Sequence, residues 1–193
     1  MNNKIELFKR YQPFRITAGI FIIIAAIIPI FSYGSFDGFL RYRCLYSLAL
    51  IITGIALLVN NSKISIIGCC ILFIYYILFC YSISKDRNGF FLADLFKKII
   101  VSILFHNFLP FLIMIIAFGL ENKTSFFLNM ISIIIQIYNN KFLLFVPEWI
   151  SKIISNENTL ANYEKDLLLI SQDLAILIGF LMFSIYLFLI FCR

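Results

Sequence analysis

Apolar residues run in long stretches along this chain, and the charged residues fall between the stretches rather than on one face of repeating amphipathic segments. A helix needs about 20 consecutive apolar residues to cross roughly 30 Å of hydrocarbon at about 1.5 Å rise per residue. Residues 14–33, 64–83, 99–120 and 167–191 meet that length. A further stretch, Cys44 to Val59, sits at the short limit. The polar run Asn60-Asn61-Ser62-Lys63 closes it, which predicts a helical hairpin with 64–83. Pro29 near the end of the first stretch predicts a kink or a stop, and the last stretch is expected to continue a helix that starts near Thr159.

The pattern changes in residues 125–154. Ser125 to Tyr138 is apolar but short for a crossing, and Asn139-Asn140-Lys141 separates it from Phe142 to Ile154, where Pro147, Glu148, Trp149 and Lys152 interrupt the run. Interfacial or re-entrant helices are expected in both pieces. The predicted fold is therefore all-α: a polytopic transmembrane helix bundle of four to six spans, forming a single integral membrane domain over residues 1–193. No internal repeat is visible, which argues against a large inverted-repeat transporter.

Composition strengthens this picture. The chain is 62% apolar and 13% charged, with a mean hydropathy of +0.98, against roughly 45–50% apolar and 25% charged in soluble domains. Sixteen Lys and Arg stand against ten Asp and Glu, but the basic residues are scattered at segment ends and form no dense stripe, so nucleic acid is not an expected partner. The lipid bilayer is, together with other membrane subunits. Residues 1–13 read as a basic lead-in. Lys4, Lys9, Arg10 and Arg15, with Lys97 and Lys98 before the 99–120 stretch, are expected to contact headgroups at the membrane surface. Four basic residues lie before or at the start of the first stretch and two follow it, which places the N-terminus in the cytoplasm; the membrane is expected to be a bacterial inner membrane. That orientation puts the charged loop 84–98 outside, against the same rule. No Ala-x-Ala-like site follows the first stretch, so an uncleaved anchor is expected.

Candidate chemistry is sparse. The five cysteines lie in or beside apolar segments, without Cys-x-x-Cys spacing or partnering histidines, and read as small hydrophobic residues. No phosphate-cradling glycine loop, His-Glu-x-x-His or Gly-x-Ser-x-Gly motif occurs, and neither a cofactor nor a metal site is indicated. Ionisable groups at membrane depth are costly and so stand out. His106 beside Asn107 suits a proton relay or a packing contact between helices. Glu148, flanked by Pro147 and Trp149, would face inward from a broken helix. Asp166 gains from a helix dipole, whereas Asp173 lies about 10 Å deeper. Glu148, His106 and Asp173 are the candidate acids and bases.

Some of these residues also carry a family resemblance. Arg15 with Ala18, the loop Lys85-Asp86-Arg87-Asn88-Gly89 before Phe90–Lys98, and the segment 142–159 with Pro147 and Glu148 resemble the RDD family of small bacterial membrane proteins. Ile22 stands where that family has its first Asp, Glu148 where it has its last, and the family's Gly-x-x-x-Gly-Lys stretch is missing. The resemblance implies small-solute or ion transport, or an accessory role. Transport or service as an accessory subunit is thus the expected function. The alternatives are a compact membrane enzyme acting on lipid or peptide at the interface, and a structural assembly partner, for which the 18% aromatic content supplies packing surface.

Overall fold

The computed structural model describes residues 2–32, 44–85, 108–120, 122–139 and 160–192. Every element among the described residues is helical: α1 (Asn2–Ser32), α2 (Cys44–Val59), α3 (Ser62–Lys85), α4 (Phe108–Leu120), α5 (Lys123–Asn139) and α6 (Leu160–Leu187), which ends in a π-helical turn, Phe188–Cys192. Two segments, Glu6–Pro29 and Ile170–Cys192, are long and apolar enough to cross a membrane, while Cys44–Val59, Ser62–Leu78, Leu109–Leu120 and Lys123–Tyr138 are shorter apolar helices. The first part of the expected stretch 99–120, residues 99–107, the interrupted run 142–154 and the candidates Lys97, Lys98, His106 and Glu148 lie outside the described residues.

The basic lead-in is part of α1, which continues through both Pro13 and Pro29. Pro29 therefore does not stop the helix, although each proline removes one backbone donor. Residues 125–138 belong to one unbroken helix, α5.

The turn from α2 to α3 shows how short polar runs direct the chain. Asn60 adopts φ 58°. Its N–H donates to the Leu57 carbonyl, and the Asn61 N–H donates to the Ala56 carbonyl, the paired bonds of a Schellman C-cap with asparagine in the left-handed position usually given to glycine. Asn61 then caps α3, its side-chain oxygen accepting from the Lys63 N–H at 3.0 Å. The α4–α5 hairpin uses a reciprocal pair: the Ser125 N–H donates to Asn122 Oδ1 at 3.3 Å, and the Asn122 N–H donates to Ser125 Oγ at 3.2 Å. The N-cap and third residues thus satisfy each other, as in a capping box.

The described helices pack in a closed circuit, α1 on α2, α2 on α3, α3 on α4, α4 on α5, α5 on α6 and α6 on α1, with the α1–α6 contact the most extensive. Directions follow from individual contacts. Phe8 meets Tyr186 while Ile22 meets Gly179, so α6 runs antiparallel to α1. Phe126 meets Phe188 and Asn129 reaches Phe180, so α5 is antiparallel to α6. The start of α1, the end of α2, the start of α5 and the end of α6 thus share one end of the bundle, the basal end.

Small residues set the closest contacts. A Cβ on Gly54 would lie 2.8 Å from the Gly19 carbonyl oxygen, and one on Gly68 would lie 2.9 Å from that of Ala49. The helix backbones approach within distances that no larger side chain permits. Around these contacts the core is dominated by Phe111, Phe180, Phe183, Ile22, Leu50 and Leu57, with Phe111 edge-on to Phe180 at 5.0 Å and Phe118 edge-on to Phe183 at 5.6 Å, the aromatic geometry favoured by ring quadrupoles.

Candidate functional site

Helix α5 keeps its polar residues inside. Ser125, Asn129, Ser132 and Gln136 recur at spacings of four, three and four, which aligns them on one face, and each is 0% exposed. Phe127, Ile131, Ile134 and Tyr138 repeat the spacing two residues on, about 200° round the helix. Phe127 and Ile134 are 62% exposed and Tyr138 is 73% exposed. The helix is amphipathic in the reverse of the usual sense, in which the apolar stripe faces the core.

The inward face forms a seam with α4 and α6. Asn129 Nδ2 donates to the Phe180 carbonyl at 3.0 Å and to Ser184 Oγ at 2.7 Å. Ser132 Oγ donates to the Pro110 carbonyl at 2.6 Å. These bonds fix the register of three helices by polar contacts between them. The hydrogen bonding is incomplete, however: Asn129 Oδ1 and both amide atoms of Gln136 are buried with no hydrogen-bond partner. Leaving a buried polar group unmatched costs roughly 1–3 kcal/mol, and such groups are few in native structures.

A second polar feature lies at the basal end. Arg15 was expected at the membrane surface, but its side chain turns into the bundle and is only 4% exposed. Its Nη1 donates to the carbonyls of Leu57 and of Leu58, the latter at 3.1 Å. These belong to the last turn of α2, whose carbonyls carry the negative end of the helix dipole; that of Leu57 also accepts from the Asn60 N–H. The guanidinium lies 6.0 Å from the centre of the Tyr186 ring. Burial of this charge has a definite cause: it completes the end of α2 and stacks against an aromatic face. The side chain lines a cleft of about 280 Å³ with Phe8, Lys9, Gln12, Leu58, Val59, Asn60 and Tyr186.

The other expected surface residues behave differently. Lys9 and Arg10 are exposed, with Arg10 5.8 Å from the ring centre of Tyr11; the Lys4 side chain is outside the described residues. Among the three candidate acids and bases only Asp173 is described. It is half-buried on α6, beside the buried Gln172. The seam itself was not anticipated from sequence, although its signal was present: polar residues at 125, 129, 132 and 136 inside an otherwise apolar run have helical spacing.

Compared with known proteins, the chain matches no protein-family model, no curated protein and no solved structure.

Proposed function

We propose that this chain is a multi-pass membrane protein, a bundle of four to six spans, whose α5 seam passes a small polar solute or ion. The reversed amphipathicity of α5 carries the proposal. In water, leaving side chains such as Phe127 and Ile134 outside and amides inside forfeits roughly 1.5–3 kcal/mol for each large apolar group; in hydrocarbon the outward face has no such cost and polar groups seek the interior. The two long apolar helices point the same way, because only 39% and 44% of their spanning windows are buried within the bundle, whereas a soluble core helix buries most of its length. The basic residues near the start of α1, Lys4, Lys9 and Arg10, support a cytoplasmic N-terminus.

The unmatched Gln136 amide, with Asn129 Oδ1 on the same face, offers a donor and acceptors to a passing polar group. The seam supports the transport role more strongly than the RDD resemblance, which adds only the class of small solutes. A polar side chain that lowers stability is kept where it serves a function. Gln136→Leu should therefore raise stability by roughly 1–3 kcal/mol, seen as a higher unfolding midpoint in detergent, while abolishing flux of ions or small solutes in proteoliposomes. Asn129→Leu should abolish flux and lower stability, because it also breaks the bonds to α6. Wild-type protein that carries no flux would defeat the transport role. The outward apolar face of α5 then favours an accessory subunit, which should co-purify with a membrane partner that Ile134→Ala weakens.

A further inference from the structure

We propose that the basal cleft around Arg15 is a binding site for a phosphate-bearing anion, supplied by the headgroup of an acidic phospholipid in the leaflet that meets this end of the bundle. The inference rests on the membrane placement proposed above, but on a different part of the molecule from the seam.

The lining gives the cleft its charge. Lys9 and Arg15 contribute two cations, Gln12 and Asn60 contribute amides, and none of the lining residues is acidic. The α2 C-terminus opposes this with a dipole equivalent to roughly half a negative charge, so the cleft keeps a net positive character of more than one unit. Arg15 is held in place by the carbonyls of Leu57 and Leu58, which fixes a buried cation before any ligand arrives. Lys9, about 1.7 turns earlier on α1, is exposed and free to close over an anion as a mobile point charge.

Size and position agree with the chemistry. A volume of about 280 Å³ is near the lower edge of the roughly 300–1,000 Å³ of small-molecule sites, enough for a phosphate with part of its glycerol. Val59, strongly exposed at the rim, and Phe8 provide apolar surface beside the polar floor, as an amphiphile requires. Diffuse attraction of a basic segment to anionic lipid needs no such cleft; an open cleft with one preset guanidinium offers a phosphate group a fixed partner.

The test uses the full chain in phosphatidylcholine nanodiscs with and without phosphatidylglycerol, read by native mass spectrometry of retained lipid. Phosphatidylglycerol should be retained by the wild type and released about tenfold more readily from the double variant Lys9→Gln, Gln12→Leu, whose sites are exposed and outside the core. Arg15→Met should lose retention as well; because it also uncaps α2, the exposed double variant decides the matter if Arg15→Met misfolds. Titration of inorganic phosphate into lipid-free protein distinguishes the source. Binding of phosphate that the double variant weakens, without retention of phosphatidylglycerol, keeps the anion site and removes the lipid. Equal retention by wild type and double variant, or binding of neither probe, overturns the proposal. Failure of the chain to enter nanodiscs defeats the membrane placement separately, and the phosphate titration still tests the cleft.

Discussion

The close approach of α1 and α2 at Gly19 and Gly54 gives a sharp stability prediction. Gly54→Ala would place a methyl group 2.5 Å from Ile23 Cγ1 and 2.8 Å from the Gly19 carbonyl oxygen. The Ile23 side chain can rotate, but the Gly19 oxygen belongs to the α1 backbone, so α1 and α2 must move apart by roughly half an ångström or more. A gap of about 0.5–1 Å forfeits a quarter to a half of each dispersion contact along the affected interface, and overpacking of this kind costs about 1–3 kcal/mol. Helix propensity works in the other direction by about 0.8–1.0 kcal/mol. Gly119→Ala supplies the control: a Cβ there meets nothing within 4 Å, so the propensity gain stands without a packing loss. In an SDS titration of detergent-solubilised protein followed by circular dichroism, the propensity gain is common to both variants, so Gly54→Ala should be the less stable by the packing cost, about 1–3 kcal/mol. Equal midpoints for the two variants would refute the α1–α2 approach at Gly19 and Gly54.

Two further substitutions test the hairpins by the same assay. Asn60→Val forces a β-branched residue into the left-handed conformation at φ 58° and should lower stability by about 1–2 kcal/mol, whereas Asn60→Gly should be neutral or slightly stabilising; the opposite order would show that the α2 C-cap is not formed. Asn122→Ala removes the acceptor for the Ser125 N–H and should cost about 0.5–2 kcal/mol, with Asn122→Asp retaining most of the wild-type stability.

The helices were legible where one physical signal governed them. Cys44–Val59 has the predicted limits because a polar tetrapeptide follows it, and Asn60 and Asn61 divide the work of ending one helix and starting the next. The expected spans 64–83 and 167–191 fall on helices, α3 and α6 with its π-helical turn, though of these two only Ile170–Cys192 is long and apolar enough among the described residues to cross a membrane. Pro29 does not stop α1, because a proline forfeits a single bond and packing against neighbours sustains the helix through it. The bonds of Arg15 inside the bundle were not legible for a tertiary reason: its partners, the Leu57 and Leu58 carbonyls, are more than forty residues away, and the local sequence around an arginine near a span end does not show that a helix terminus lies beside it. The seam was missed because ionisable residues drew attention, while amides and hydroxyls at 125, 129, 132 and 136 carry no charge and reveal themselves only by their spacing.

The proposed contact of the outward apolar face of α5 with lipid can be read by nitroxide scanning of α5 in liposomes, in a background with the five cysteines replaced. Labels in place of Phe127, Ile131, Ile134 and Tyr138 should collide freely with oxygen and little with a water-soluble nickel chelate, and labels in place of Ser125, Asn129, Ser132 and Gln136 should be shielded from oxygen. Free access of the nickel chelate to positions 131 and 134, or oxygen access that is greater at 129 and 132 than at 131 and 134, would contradict the account.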